Sequence, residues 1–241
     1  MSKARHDLVM RIFKTTGKSY DFVVKITTFW QDSRWKNRIL EITDFCRDPR
    51  DILDLACGTG ILTFALAEKF PLSNILGIDL QEEYLSHAEA KKWRKNIKNV
   101  EFCEKNAEEI NEGAYDLITA SYLPKYVDLD LVIGHCFKMM RPGSLLIFHD
   151  FTYPQNHLFR FFYTLYWVVL KLLLWFSVSW REMGKELETI IIKSSWVADI
   201  KKALEIHGFE DITIEIQPFE IAAIVYARRI PKKQSSLLTQ I

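Results

Sequence analysis

Between residues 51 and 149 short apolar segments alternate with longer amphipathic ones, and this alternation limits the fold more than any other feature. Asp51–Ala56, Asn74–Asp79, Val100–Cys103, Tyr115–Ala120 and Ser144–His149 read as strands. Ile61–Phe70, Glu82–Asn96 and Leu129–Met140 read as helices; Pro71 follows the first, and Arg141-Pro142-Gly143 stops the last. A strand, a crossover helix and a second strand pair in parallel, so the repeat predicts a parallel sheet covered on both faces. Farther on, Trp196–His207 reads as an amphipathic helix closed by Gly208. Ile212–Ile216 and Ile221–Ala227 follow as strands joined through Gln217-Pro218-Phe219, a link that permits an antiparallel edge. The predicted fold is α/β: a Rossmann-like doubly wound sheet of seven strands with an antiparallel terminal strand and a helical cap insertion. Residues 1–48 form an N-terminal helical region, with helical spacing in Trp35–Ile42. Residues 49–229 form the main domain, with the cap at about 152–192, and 230–241 form a mobile basic tail.

The 241 residues suit one domain with an insertion, and 49% hydrophobic with 26% charged residues suits a globular core. A net charge of +1 gives no reason to expect a nucleic-acid partner. Basic residues do gather at the two ends: Lys3, Arg5, Arg11, Lys14 and Lys18, then Arg228, Arg229, Lys232 and Lys233. Cys46, Cys57, Cys103 and Cys136 contain no C-x-x-C pair, so neither a metal site nor a disulfide framework is expected. Reduced thiols and the lack of a signal-peptide core at the start point to the cytoplasm.

The informative loop is Asp54-Leu55-Ala56-Cys57-Gly58-Thr59-Gly60, between the first strand and the first helix. Small residues at Ala56, Gly58 and Gly60 let a ligand approach the backbone, and the helix behind them presents free N–H groups. Asp79 ends the second strand, where a carboxylate can accept both hydroxyls of a ribose. The dinucleotide pattern G-x-G-x-x-G fails, because the loop runs A-x-G-x-G and Thr63 stands at the third glycine. Asp54 is badly placed beside a pyrophosphate and well placed near a cation. S-adenosylmethionine has an ammonium, a sulfonium and no phosphate.

These residues, with the terminal strand pair, resemble the class I S-adenosylmethionine-dependent methyltransferases over roughly residues 50–227. The resemblance implies that the loop around Asp54, Ala56, Cys57, Gly58 and Gly60 holds the methionine part. It implies that Asp79 binds the ribose and that Leu80, Asn106 and Ala107 flank the adenine, with Ser121 at the end of the fourth strand. Ala56 stands where the family more often has its first glycine.

A narrower resemblance is to the ubiquinone/menaquinone biosynthesis C-methyltransferases. Tyr20-Asp21 and Trp35-Lys36 match that family's YD…WK pair, although Val24 replaces its asparagine and Trp30 its glycine. The family's serine-aromatic-glycine-leucine-arginine-asparagine-valine run reads Ser121-Tyr122-Leu123-Pro124-Lys125-Tyr126-Val127, with Lys125 at the arginine. Asp150-Phe151 stands for its glutamate-phenylalanine, and the family's tyrosine-containing cap stretch corresponds to Met183–Ile190, which has no tyrosine. The donor half matches and the acceptor half has drifted.

Leu158–Trp180 contains nine aromatics and two charges, Arg160 and Lys171. Three readings compete: a cap over a lipophilic acceptor whose outer face touches membrane, a buried core helix or homodimer surface, and a transmembrane span. A span is disfavoured by Lys171 near its middle, at roughly 2.5–3.5 kcal/mol on insertion scales. The expected chemistry is methyl transfer to a small lipophilic acceptor, foremost a quinol or phenolic ring. A phospholipid amine or a small-molecule N- or O-acceptor is the alternative, and a non-catalytic cofactor-binding subunit is the alternative of another class. A phenol titrates near 10, so a cation or base must help it ionise. Lys125 is the candidate cation, Asp150 the favoured acid over its neighbour His149, and Tyr20 a closing group. His157, Tyr153 and Tyr122 are weaker candidates.

Overall fold

The computed structural model describes residues 21, 24–25, 27–173 and 178–230, with backbone alone at 173 and 178–183. Tyr20, the whole basic cluster at the start and the 231–241 part of the tail lie outside the described residues. In order, the elements are α1 (Gln31–Ile42), β1 (Asp51–Leu55), α2 (Ile61–Lys69), β2 (Asn74–Asp79), α3 (Glu82–Lys95), β3 (Val100–Glu104) and β4 (Tyr115–Ser121). Then come α4 (Leu129–Met139), β5 (Met140–Phe151), α5 (His157–Leu173), α6 (Val178–Lys193), α7 (Trp196–His207), β6 (Glu210–Ile216) and β7 (Ala222–Arg228).

The seven strands form one sheet in the order β3-β2-β1-β4-β5-β7-β6. All neighbours pair in parallel except β7, which runs antiparallel to both β5 and β6. The antiparallel strand is therefore inserted beside the edge, and β6 forms the edge itself. Winding reverses between β1 and β4, so their C-terminal ends flank a crevice of the kind that holds ligands in open α/β sheets.

Ile52, Leu53 and Leu55 of β1 are fully buried because helices cover both faces. One core layer packs the sheet against α4 and α7, the other against α1 and α2. Gly208 caps α7 with φ 83°, as its position after the last periodic residue predicts. Arg38 of α1 grips Glu215 of β6 through two N–H donors at 2.8 and 2.9 Å, which fastens the N-terminal helix to the sheet edge.

Arg141-Pro142-Gly143 was expected to separate a helix from a strand beginning at Ser144. The strand instead begins at Met140, and its register with β4 jumps from Tyr115↔Met140 to Leu117↔Leu145. The triplet makes a bulge, with Gly143 at φ 90° and Pro142 where the ladder is already interrupted.

Helices α5 and α6 stand over the C-terminal ends of the strands. Tyr163, Trp167 and Leu170 of α5 pack on Ile191 of α6 in a small separate core. The other face of α5 leaves Leu158, Phe161, Phe162, Leu165, Val168 and Leu172 exposed. Lys171 is ion-paired with Glu188 of α6, so a salt bridge fastens the two helices. Among the described residues no helix is long and apolar enough to cross a membrane.

Candidate active site

The loop after β1 is tight because Ala56, Gly58 and Gly60 all take positive φ (53°, 55° and 81°). That turn aims the Gly58 N–H at Asp79 Oδ2, 2.8 Å away, while the Gln81 N–H donates to Oδ1 at 2.9 Å. Burial raises the Asp79 carboxyl, and these backbone donors oppose the rise. Each oxygen keeps acceptor capacity for a further hydroxyl. The Gly60 N–H closes the turn on Cys57 O at 2.9 Å, and a Cβ there would meet Phe64 Cε2 at 2.7 Å. Gly60 also caps the start of α2.

Asp54 is 1% exposed and accepts hydrogen bonds from Thr63 Oγ1 at 2.6 Å and Thr119 Oγ1 at 2.8 Å. Burial pushes its carboxyl up to about 6. Ala56, Gly58, Asp79, Leu80, Asn106, Ala107 and Ser121 line one cleft, with Tyr84, Leu123 and Tyr126. Asp54, Ala56, Cys57, Gly58 and Ser121 line a recess that continues it, with Lys36 and Thr59. The Ser121 hydroxyl borders both and has no hydrogen-bond partner among the described residues. Asn106 is partly engaged, since its Oδ1 accepts the Glu108 N–H at 3.0 Å. The donor set suits S-adenosylmethionine: a carboxylate for the ribose, a slot with small and apolar walls, an unused hydroxyl and a buried acid for an ammonium. It does not suit a pyrophosphate, which two buried carboxylates would repel.

Beyond the cleft lies an apolar cavity of about 570 Å³. Tyr122 and Tyr126 belong to both spaces and form the wall between them. Trp35, Phe151, Trp167 and Leu187 line the cavity, and among its described lining residues Lys125 alone is charged. The Lys125 side chain is 1% exposed and pairs with Asp150, which is wholly buried. Asp150 also accepts the Phe151 N–H at 2.7 Å. Burial lowers the Lys125 ammonium and raises the Asp150 carboxyl, and each charge offsets the shift of the other. The ammonium lies 4.8 Å from the centre of the Tyr126 ring and 5.4 Å from that of Phe151.

His149 points away from Asp150, as strand alternation requires. It is fully buried against Trp35 (5.2 Å) and Tyr122 (5.0 Å), with both ring nitrogens unpartnered among the described residues. Tyr153 packs edge-on against Tyr163 at 5.4 Å, and His157 is exposed at the start of α5. Tyr122, a weaker candidate from sequence, occupies the central wall with φ 63°. Trp167 of α5 is 4% exposed and faces the cavity.

Sequence reasoning gave Lys36 no role of its own, although Asp32 and Lys36 have the i,i+4 spacing of a helical ion pair. Both halves of the YD…WK match reach the glycine loop. Asp21 accepts from Thr59 Oγ1 and from Lys91, and Lys36 lines the recess beside Asp54.

A doubly wound sheet with this cleft at its switch point defines a class I methyltransferase that uses S-adenosylmethionine. The chain belongs to the ubiE/COQ5 methyltransferase family, whose profile matches residues 1–178. A demethylmenaquinone methyltransferase of Lactococcus lactis is 30% identical over 174 residues, covering 69% of this chain and 67% of the relative. One from Thermus thermophilus is 28% identical over 158 residues, covering 64% and 71%. The fold is shared with an O-methyltransferase family protein from Burkholderia thailandensis, at TM-score 0.60 and 19% identity over 85% of this chain. The chain spans 57% of that neighbour's length.

Proposed function

We propose that this protein methylates a ring carbon of a lipophilic quinol, with the ring in the apolar cavity and its reacting edge against the Tyr122–Tyr126 wall. The observation that carries the reading is Lys125, the one ammonium among the cavity's described lining residues, held beside the wall that the cavity shares with the cofactor cleft. The similarity to demethylmenaquinone methyltransferases supports the quinol.

When bound, S-adenosylmethionine supplies an electrophilic methyl group on a sulfonium. Asp79 accepts the ribose hydroxyls, Leu80, Asn106 and Ala107 border the base, and Asp54 faces the ammonium. Lys125 lowers the energy of a phenolate at the cavity's inner end, where few waters compete for it. Asp150 keeps Lys125 protonated and fixes its position. Tyr122, Tyr126 and Phe151 exclude water and hold the ring in line with the methyl group.

The acceptor enters from a membrane surface. Phe29, Phe162 and Phe219 line the cavity while remaining 68%, 54% and 59% exposed, so its rim is apolar. The exposed stripe of α5 continues that rim, and α5 carries no acidic residue. Helices α5 and α6 act as the cap, in a domain spanning 49–229.

Lipid extracts from cells with and without the gene, compared by mass, test the function. A lipophilic quinone 14 mass units lighter should accumulate without it. An unchanged quinone pool, or a methyl missing from nitrogen or oxygen of another lipid, would sink the ring-carbon reading.

A further inference from the structure

Lys36 is a buried cation in the recess beside Asp54 that the methyl-transfer chemistry leaves unused. Its side chain is 10% exposed and pairs with Asp32 one helical turn earlier. The Tyr122 hydroxyl donates to the same carboxylate oxygen of Asp32, Oδ1, at 2.7 Å. The recess therefore offers a carboxylate, Asp54, and an ammonium, Lys36, with the unpartnered Ser121 hydroxyl among its lining. A buried lysine with three N–H donors gives one to Asp32 and keeps two. The methionine part of the cofactor is a zwitterion, and a recess with one buried charge of each sign matches it.

We infer that Lys36 binds the α-carboxylate of S-adenosylmethionine, and that Asp32 and Tyr122 are positioning residues that hold Lys36 in the recess. Lys91, another cation near the loop, does not line the recess; it is committed to Asp21 and to Thr59 O at 3.1 Å. The Lys36 ammonium also lies 5.1 Å from the centre of the Tyr122 ring, so the residue that fixes the methionine end touches the acceptor wall. Through Asp32 and Tyr122, recognition of the donor is joined to the shape of the acceptor cavity. The inference rests on the cofactor cleft assigned above.

The test compares two ligands that differ by one carboxylate, S-adenosylmethionine and decarboxylated S-adenosylmethionine, by calorimetry on the full chain. The wild type should favour the carboxylated ligand at least tenfold. Lys36→Met should reduce that preference to within twofold while binding of the decarboxylated ligand stays within threefold, and Lys36→Arg should restore most of it. Lys36→Met leaves Asp32 buried without its cation, so the double variant with Asp32→Asn is measured alongside. The ratio of two affinities on one preparation does not depend on the folded fraction. A preference that survives in Lys36→Met and in the double variant would overturn the assignment, as would an equal loss for both ligands. If the wild type bound neither ligand, the cofactor cleft itself would fall, a result distinct from a failure of Lys36 alone.

Discussion

Lys125 and Asp150 form an ion pair sealed from solvent, the lysine from the turn after β4 and the aspartate from the end of β5, the strand beside β4. Breaking such a pair by removing one partner costs about 3–5 kcal/mol, because a charge is left buried alone. Asp150→Ala should destabilise the protein by that order in urea unfolding. Lys125→Met should lower turnover at least a hundredfold while affinity for S-adenosylhomocysteine stays within threefold. Equal losses in both measurements would make the pair a matter of stability alone.

Asp79 ties the glycine loop to β2 through the Gly58 and Gln81 N–H groups. Asp79→Ala removes both acceptors and the partner for the ribose. The expected result is at least tenfold weaker S-adenosylmethionine binding with far-UV circular dichroism unchanged. Unaltered affinity in calorimetry would take Asp79 out of the cleft chemistry.

His149 titrates with opposite sense to Asp54. Burial, then the nearby Lys36 charge, lowers its imidazole from 6.5 to about 3. The folded state thus excludes a proton that the unfolded chain takes up, so the stability it contributes is present above pH 6.5 and is lost as pH falls toward 3. Between pH 7.5 and 5 the wild type should lose about 2 kcal/mol more than His149→Leu, at roughly 1.4 kcal/mol per pH unit. The Asp54 contribution, which fades as pH rises through about 6, is common to both proteins and cancels. Parallel stability–pH curves would show that the imidazole is not held neutral.

Asp54, poised at about 6 in the free protein, should give up its proton when a ligand ammonium arrives. Calorimetry at pH 5.5 in two buffers of different ionisation enthalpy should show more than half a proton released per S-adenosylmethionine bound. At pH 8 the release should vanish, and in Asp54→Asn it should be absent at either pH. A proton count that ignores this substitution would assign the release elsewhere.

The membrane reading concerns the outward face of α5. Each large apolar side chain that leaves water contributes about 1.5–3 kcal/mol. Phe161→Glu with Leu165→Lys should therefore cut sedimentation with anionic liposomes at least fivefold and leave cofactor affinity intact. Carbonate should extract the wild-type protein from membranes. Undiminished sedimentation would exclude this face, and a dimer that the same substitutions dissociate would assign it to a second copy of the chain.

The sheet was legible because its signals are local. Each predicted strand from Asp51 to Asp79 lies within a residue of the observed one, and Gly60, Asn96 and Gly208 take left-handed positions at helix ends. The cavity was not legible, because its walls come from α1, the turn after β4, α5, α6 and Phe219, which only the closed fold brings together. Asp32 and Lys36 could be paired from spacing, but the Tyr122 hydroxyl that completes the set is ninety residues away. Which side of α5 faces inward was equally hidden. The helix carries its polar residues Arg160, Thr164 and Lys171 on one stripe, but apolar residues flank that stripe on both sides, so Trp167 and Phe161 look alike until packing separates them.

Among the described residues, none of the cavity's lining comes from β1, β2 or β3. Much of that lining instead falls in one contiguous stretch, from Phe151 to Ile191. On the proposed reading, much of the acceptor preference is carried on that stretch, with Lys125 and the Tyr122–Tyr126 wall outside it. Exchanging that stretch with the equivalent stretch of a relative should transplant the preference while the loop at Asp54–Gly60 keeps its ligand, and descendants of one ancestral donor site can part company over their acceptors without refolding the sheet.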